Sequence, residues 1–144
     1  MARIRKFREL DERMRIAAER ITRGVEDLIA ETGKEIGKEV VIDTPVDTGH
    51  ARANWRPSIN APAIVPVTRA DKTGAGTIAR ISVVAKQFKA GDVFYLTNNV
   101  PYIEQLNEGS SPQAEPNFVQ DAVKTAVERA VRAKVGGIVG EDGD

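Results

Sequence analysis

From Lys6 to Ile42 the apolar residues recur at three- and four-residue steps: Phe7, Leu10, Met14, Ala17, Ile21, Val25, Leu28, Ile29, Ile36 and Val40. Glu12, Arg15, Glu19, Arg20, Arg23, Glu26, Asp27, Glu31, Lys34 and Glu35 fill the other face. The pattern predicts one amphipathic helix over 6–42, about 50 Å long if unbroken. Gly24, Gly33 and Gly37 are its weak points, each costing roughly 1 kcal/mol against alanine, and a bend or break is expected near Gly33. Such a helix is longer than one small sheet can cover. Its free end is therefore expected to lie on another subunit or a partner, because an exposed apolar stripe marks an interaction surface.

A second amphipathic helix is predicted over Asn117–Val135, with Phe118, Val119, Ala122, Val123, Ala126, Val127, Ala130 and Val131 on one side and Gly136-Gly137 as its stop. Pro101 opens a short helix, Tyr102–Asn107, that Gly109 closes. Alternation over Ile78–Ala85 predicts a strand, and Val93–Thr97 predicts another. A short link joins the two, so antiparallel pairing is expected. Arg56–Asn60 suits a further short strand. Ala61–Thr77 holds Pro62 and Pro66 and ends in Asp71-Lys72-Thr73-Gly74-Ala75-Gly76-Thr77, the signature of a long mobile loop or hairpin arm. The expected fold is a single α+β domain over 1–139. It has the long N-terminal helix, a small antiparallel sheet of about three or four strands within 55–97, and the C-terminal helix packed on that sheet. Residues 140–144 are expected to form a flexible acidic tail.

The densest segment lies between helix and sheet: Thr44-Pro45-Val46-Asp47-Thr48-Gly49-His50-Ala51-Arg52-Ala53-Asn54-Trp55. Pro45 fixes its own φ and drives Thr44 toward extended geometry, so the long helix should end by Asp43. Val46–Gly49 reads as a turn in which Asp47 accepts from backbone N–H groups and Gly49 takes a positive φ. Asp47 or Thr48 would cap a short helix running to about Ala53. Trp55, the one tryptophan, is expected to anchor the core beneath. Arg52 projects from the short helix with several donors and can fix either the fold or a neighbour. A polar site of Asp47, His50 and Arg52 is the alternative reading of the same segment.

Composition narrows the function classes. The chain has 144 residues, with 21 Lys plus Arg against 21 Asp plus Glu, so it lacks the basic excess of a DNA-coating protein. Cysteine is absent, which excludes a disulfide scaffold and a Cys-based metal site. No apolar run reaches membrane-spanning length. The charge is uneven: Arg3, Arg5, Lys6 and Arg8 make a basic start, and Glu141, Asp142 and Asp144 an acidic end. Both ends read as solvated tails, with docking to chains of opposite charge, neighbouring copies among them, as the alternative. The basic start with Lys34, Lys38, Arg52 and Arg56 is compatible with DNA passing nearby, without sequence-specific reading.

Catalysis finds little support in the residues. His50 is the one histidine, so no histidine pair can hold zinc. Gly74-Ala75-Gly76-Thr77 lacks the lysine and spacing of a phosphate-binding loop. Glu104 and Glu108 stand one helical turn apart, a pairing that serves hydrolysis in some sites but a solvated helix face in most. Ser58, Ser82, Ser110 and Ser111 have no nucleophile-elbow context. No cofactor is expected.

The order of these features resembles the tail-completion and head–tail joining proteins of long-tailed bacteriophages, the group of the minor tail protein Z type. Members commonly carry a block T-P-V-D-T-G-x-L-R-x-S-W. Here it reads TPVDTGHARANW, with Ala51 in place of the leucine and Asn54 in place of the serine. The family's second block is a tyrosine, a short helix, Glu-Gly and a proline-rich loop leading into the last helix. Tyr102–Gly109 and Pro112–Phe118 match it. The resemblance implies a non-enzymatic virion subunit that forms a homo-oligomeric ring at the neck. It would complete the tail or join it to the DNA-filled head, meeting neck, connector or tail-tube proteins, with genomic DNA nearby and no membrane. Its place would be the virion neck, reached by assembly in the host cytoplasm. Phe7, Leu10, Met14, Arg52, Tyr102 and Glu108 are then the expected contacts with subunits or partners. A small cytoplasmic helical adaptor or regulator is the alternative.

Overall fold

The computed structural model describes residues 2–140. Its first element, α1, is one unbroken 42-residue helix, Ala2–Asp43, about 63 Å long at 1.5 Å per residue. It ends where Pro45 removes a donor and disfavours helical geometry before it. A four-residue helix α2, His50–Ala53, leads into strand β1, Trp55–Ile59. Helix α3 spans Ala75–Ala85, strand β2 Phe94–Asn98, helix α4 Ile103–Asn107 and helix α5 Phe118–Gly140.

The sheet is smaller than expected and differently paired. Among the described residues it has two strands, β1 and β2, antiparallel with Trp55 opposite Asn98 and Ile59 opposite Phe94. The segment expected as a strand over Ile78–Ala85 is the helix α3 instead. Its sequence fits both periods, but Thr77, Ile81 and Ala85 are the buried positions, and a step of four is helical. The C-terminal helix packs chiefly along α1 rather than on the sheet. It also runs through Gly136 and Gly137 to Gly140, past the expected stop, at roughly 1 kcal/mol for each glycine. The expected acidic tail, apart from Gly140, lies outside the described residues.

The bend expected near Gly33 is absent. Gly33 and Gly37 are buried and serve close approach. The Phe94 ring lies against Gly33, 3.1 Å from where a Cβ would stand, and Ile81 of α3 occupies the space a Cβ on Gly37 would need. The core gathers around this crossing: Val40, Val41, Trp55, Ile81 and Ala122 are buried together, with Ile36, Phe94, Leu96 and Val119 packed against them. The body first touches α1 at Glu26, whose carboxylate accepts from the Ala90 N–H at 3.0 Å in the connection before β2. Every residue from Ala2 to Val25 is exposed, an arm of about 36 Å.

Candidate functional site

The block from Thr44 to Trp55 folds into a junction that ties four segments together. A helix end leaves its last carbonyls without partners. Arg52 supplies them: its guanidinium donates to the carbonyls of Ile42 at 2.7 Å and Thr44 at 2.9 Å, and also to Lys72 at 2.8 Å. A cation there also opposes the negative end of the α1 dipole. The Thr44 hydroxyl, fully buried, donates to the Val40 carbonyl and accepts from the Trp55 indole N–H at 2.7 Å. Arg52, expected as either a fold determinant or a neighbour's contact, is engaged within its own chain by all three of its nitrogens.

Asn54 is buried and pairs with a backbone. Its amide accepts from Val67 N–H at 2.7 Å and donates to the Val67 carbonyl at 3.0 Å and the His50 carbonyl at 2.8 Å. The pairing uses two N–H donations and one acceptance on separate atoms of the amide, whereas a hydroxyl has one oxygen and a single proton. The 61–77 segment, expected as a mobile loop, is held along its length. Besides Asn54, Arg56 donates to Val65, while Thr97 and Asn99 donate to Ala63. Asp71 N–H donates to the Gly49 carbonyl at 3.0 Å.

Asp71 is the residue that sequence reasoning missed. Its carboxylate accepts from Gly74 N–H at 2.9 Å, Thr77 N–H at 2.9 Å and the Thr77 hydroxyl at 2.8 Å, capping α3 from outside. Burial alone would raise its pKa, but the bonds from Thr77, Gly74 and Thr73 together hold it below the ordinary aspartate range. An aspartate six residues before a buried threonine, opening an apolar run, was the available signal. Gly49 is needed twice over. Its φ is 85°, and a Cβ there would stand 2.6 Å from the Lys72 nitrogen.

The expected polar site does not form. Asp47 is exposed and its carboxylate accepts no hydrogen bond among the described residues, so it caps nothing; Thr48 accepts from His50 N–H at 3.3 Å instead. His50 and Asp47 border a shallow cleft of about 240 Å³ together with Ala51, Tyr102 and Leu106. Ala51 lies where the resembled block has a leucine. Tyr102, 38% exposed, is at the cleft mouth, while Glu104 and Glu108 are exposed on and just after α4. A second cleft, of about 360 Å³, lies between β1 and α3. Trp55, Pro57 and Val83 give it apolar walls, and Arg56, Arg69 and Arg80 line it. Burial and the neighbouring Arg69 lower the Arg80 pKa, with Asp71 opposing. Among the described residues these three arginines make no ion pair with a carboxylate.

Phe7, Leu10 and Met14 stand on the arm, 54–66% exposed, far along α1 from the junction. Among the described residues no group of three or more His, Cys, Asp or Glu could hold a metal ion, and no helix is long and apolar enough to cross a membrane. Comparisons with protein-family models, curated proteins and solved structures returned no match to this chain.

Proposed function

We propose that this chain is a structural subunit of a bacteriophage neck, one that assembles into a ring and completes the tail or joins it to the DNA-filled head. The arm is the observation that carries the reading. About 36 Å of helix projects from the body with an apolar stripe that nothing among the described residues covers. An isolated helix of that length is marginal in water, and large exposed apolar stripes mark assembly surfaces. The junction supports the same reading, because its polar residues are engaged in joining segments rather than converging on an open site. The resemblance of the two sequence blocks supplies the setting.

The test is a phage carrying this gene with the reading frame interrupted. Electron micrographs should show filled heads and separate tails, and the chain supplied from a plasmid should restore joined particles. Joined particles in the absence of the chain would reject the proposal. So would purified protein that remains monomeric and adds to neither heads nor tails.

A further inference from the structure

The cleft of about 360 Å³ between β1 and α3 holds a charge imbalance that the fold does not explain. Its walls are apolar: Trp55 and Pro57 from β1, with Ala79, Val83 and Val84 from α3. Val83 is 58% exposed there, on a helix whose other side, at Ile81 and Ala85, is buried. Arg56, Arg69 and Arg80 line the same cleft, and like charges so placed disfavour one another. Asp71 is the carboxylate that acts on Arg80, yet its oxygens accept from Gly74 and Thr77 instead. Two of the guanidinium groups are held in place. Arg56 donates through Nη1 to the Val65 carbonyl. Arg80 donates through Nη2 to the Thr77 hydroxyl at 3.0 Å, and that hydroxyl in turn donates to Asp71 at 2.8 Å. Each commits a single nitrogen, which leaves most of a planar donor fork uncommitted to the protein.

We propose that this cleft binds a small phosphate monoester whose organic part is apolar and the size of a single ring. The apolar walls take the organic part, and the arginines take the phosphate. A phosphate monoester carries a charge of about −1.5 to −2 near neutral pH and several strong acceptor oxygens, which answers three guanidinium groups better than one carboxylate does. Arginine forks meet phosphate oxygens through paired N–H donors. A cleft of this volume, with mostly apolar walls and a few placed polar groups, is of the small-ligand kind. An extended peptide suits the wall less well, because Pro57 removes a backbone donor from β1 and so from pairing with an added strand. A nucleic-acid strand would call for a long basic track, and the chain as a whole has no basic excess. The site does not use the arm, so it holds or fails independently of the neck reading.

Trp55 is the one tryptophan and lines the cleft, so its fluorescence reports on binding there. Calorimetry on the full-length protein compares phenyl phosphate with inorganic phosphate, benzyl alcohol and benzoate at fixed ionic strength. Phenyl phosphate is expected to bind about 10-fold or more tightly than each of the others, and to change the Trp55 emission. Arg69 is exposed, so Arg69→Gln should leave the unfolding midpoint in place while weakening phenyl phosphate by about 10-fold. Arg80→Gln should weaken it similarly, with circular dichroism as the check on folding. Arg8→Gln removes the same charge from the arm and should leave binding unchanged. Equal affinity for phenyl phosphate and either inorganic phosphate or benzoate would overturn the inference. So would an equal loss at Arg8 and Arg69, binding that leaves the Trp55 emission unaltered, or no heat at millimolar phenyl phosphate. A phosphotyrosine peptide or single-stranded oligonucleotide that binds about 10-fold more tightly than phenyl phosphate would make the occupant a macromolecule and overturn it as well.

Discussion

The two halves of α1 have the same amphipathic pattern and opposite fates. From Glu26 onward the helix is crossed by α3, β2 and α5, and its glycines become points of contact. From Ala2 to Val25 every residue is exposed, and among the described residues beyond its own helix backbone Gly24 has no atom within 4 Å of where its Cβ would stand. Periodicity thus states which face of a helix is to be covered. It does not state whether the cover comes from the same chain. What separates the halves is what the rest of the chain brings to them: Phe94 and Ile81 close on Gly33 and Gly37 in one, while the large apolar side chains of the other stay exposed.

Mutations can break or sharpen that contrast. The largest effect is expected at Trp55→Ala, which removes the central side chain of the crossing and its bond to Thr44. It should cost about 3–5 kcal/mol in a chemical denaturation curve. Gly37→Ala comes next, at about 1–3 kcal/mol, because the added methyl collides with Ile81. Gly24→Ala is the control on the same helix and should stabilise the monomer by up to about 1 kcal/mol, read as a rise in the unfolding midpoint. An equal response at the two glycines would erase the proposed distinction.

Asp71→Ala should cost about 1–2 kcal/mol near neutral pH through loss of the α3 cap. The folded carboxyl titrates below its ordinary value of 3.8, so its contribution is present above that value and is lost as the pH falls through the lower, folded one. The gap between wild type and variant should accordingly close in acid, and a gap independent of pH would contradict the capping role. The smallest effect is expected for Phe7→Gln, within about 0.5 kcal/mol for the dilute monomer, since that ring is 66% exposed.

Much of the fold was legible where one local rule acted alone. Pro45 ended α1, Gly49 took its positive φ, and Ile103–Asn107 and Phe118 onward turned helical. The misreading of α3 came from Thr77–Ala85, where β-branched residues favour a strand and the same residues at steps of four favour a helix. The cap at Asp71 and burial against Gly37 decided between them, and the burial is a tertiary fact. The loop over 61–77 was legible as a loop, but what holds it was not, for a related reason. Its fixing groups, Asn54, Arg56, Thr97 and Asn99, all lie outside it. Of the junction, the roles of Pro45, Gly49 and Trp55 could be read from local chemistry. The partners of Arg52 and Asn54 could not, because they are backbone carbonyls and amides, which every residue type supplies.

The absence of a bend at Gly33 carries a geometric consequence. Gly33 and Gly37, pressed against Phe94 and Ile81, fix the body to α1 without a joint between body and arm. The arm is a spoke continuous with the helix that the core holds, and its direction is a property of the core. In a closed assembly built through that spoke, the number of copies follows from a single angle, the one at which α1 leaves the body. Substitutions at the crossing, far from any neighbour, would then be the ones that alter symmetry.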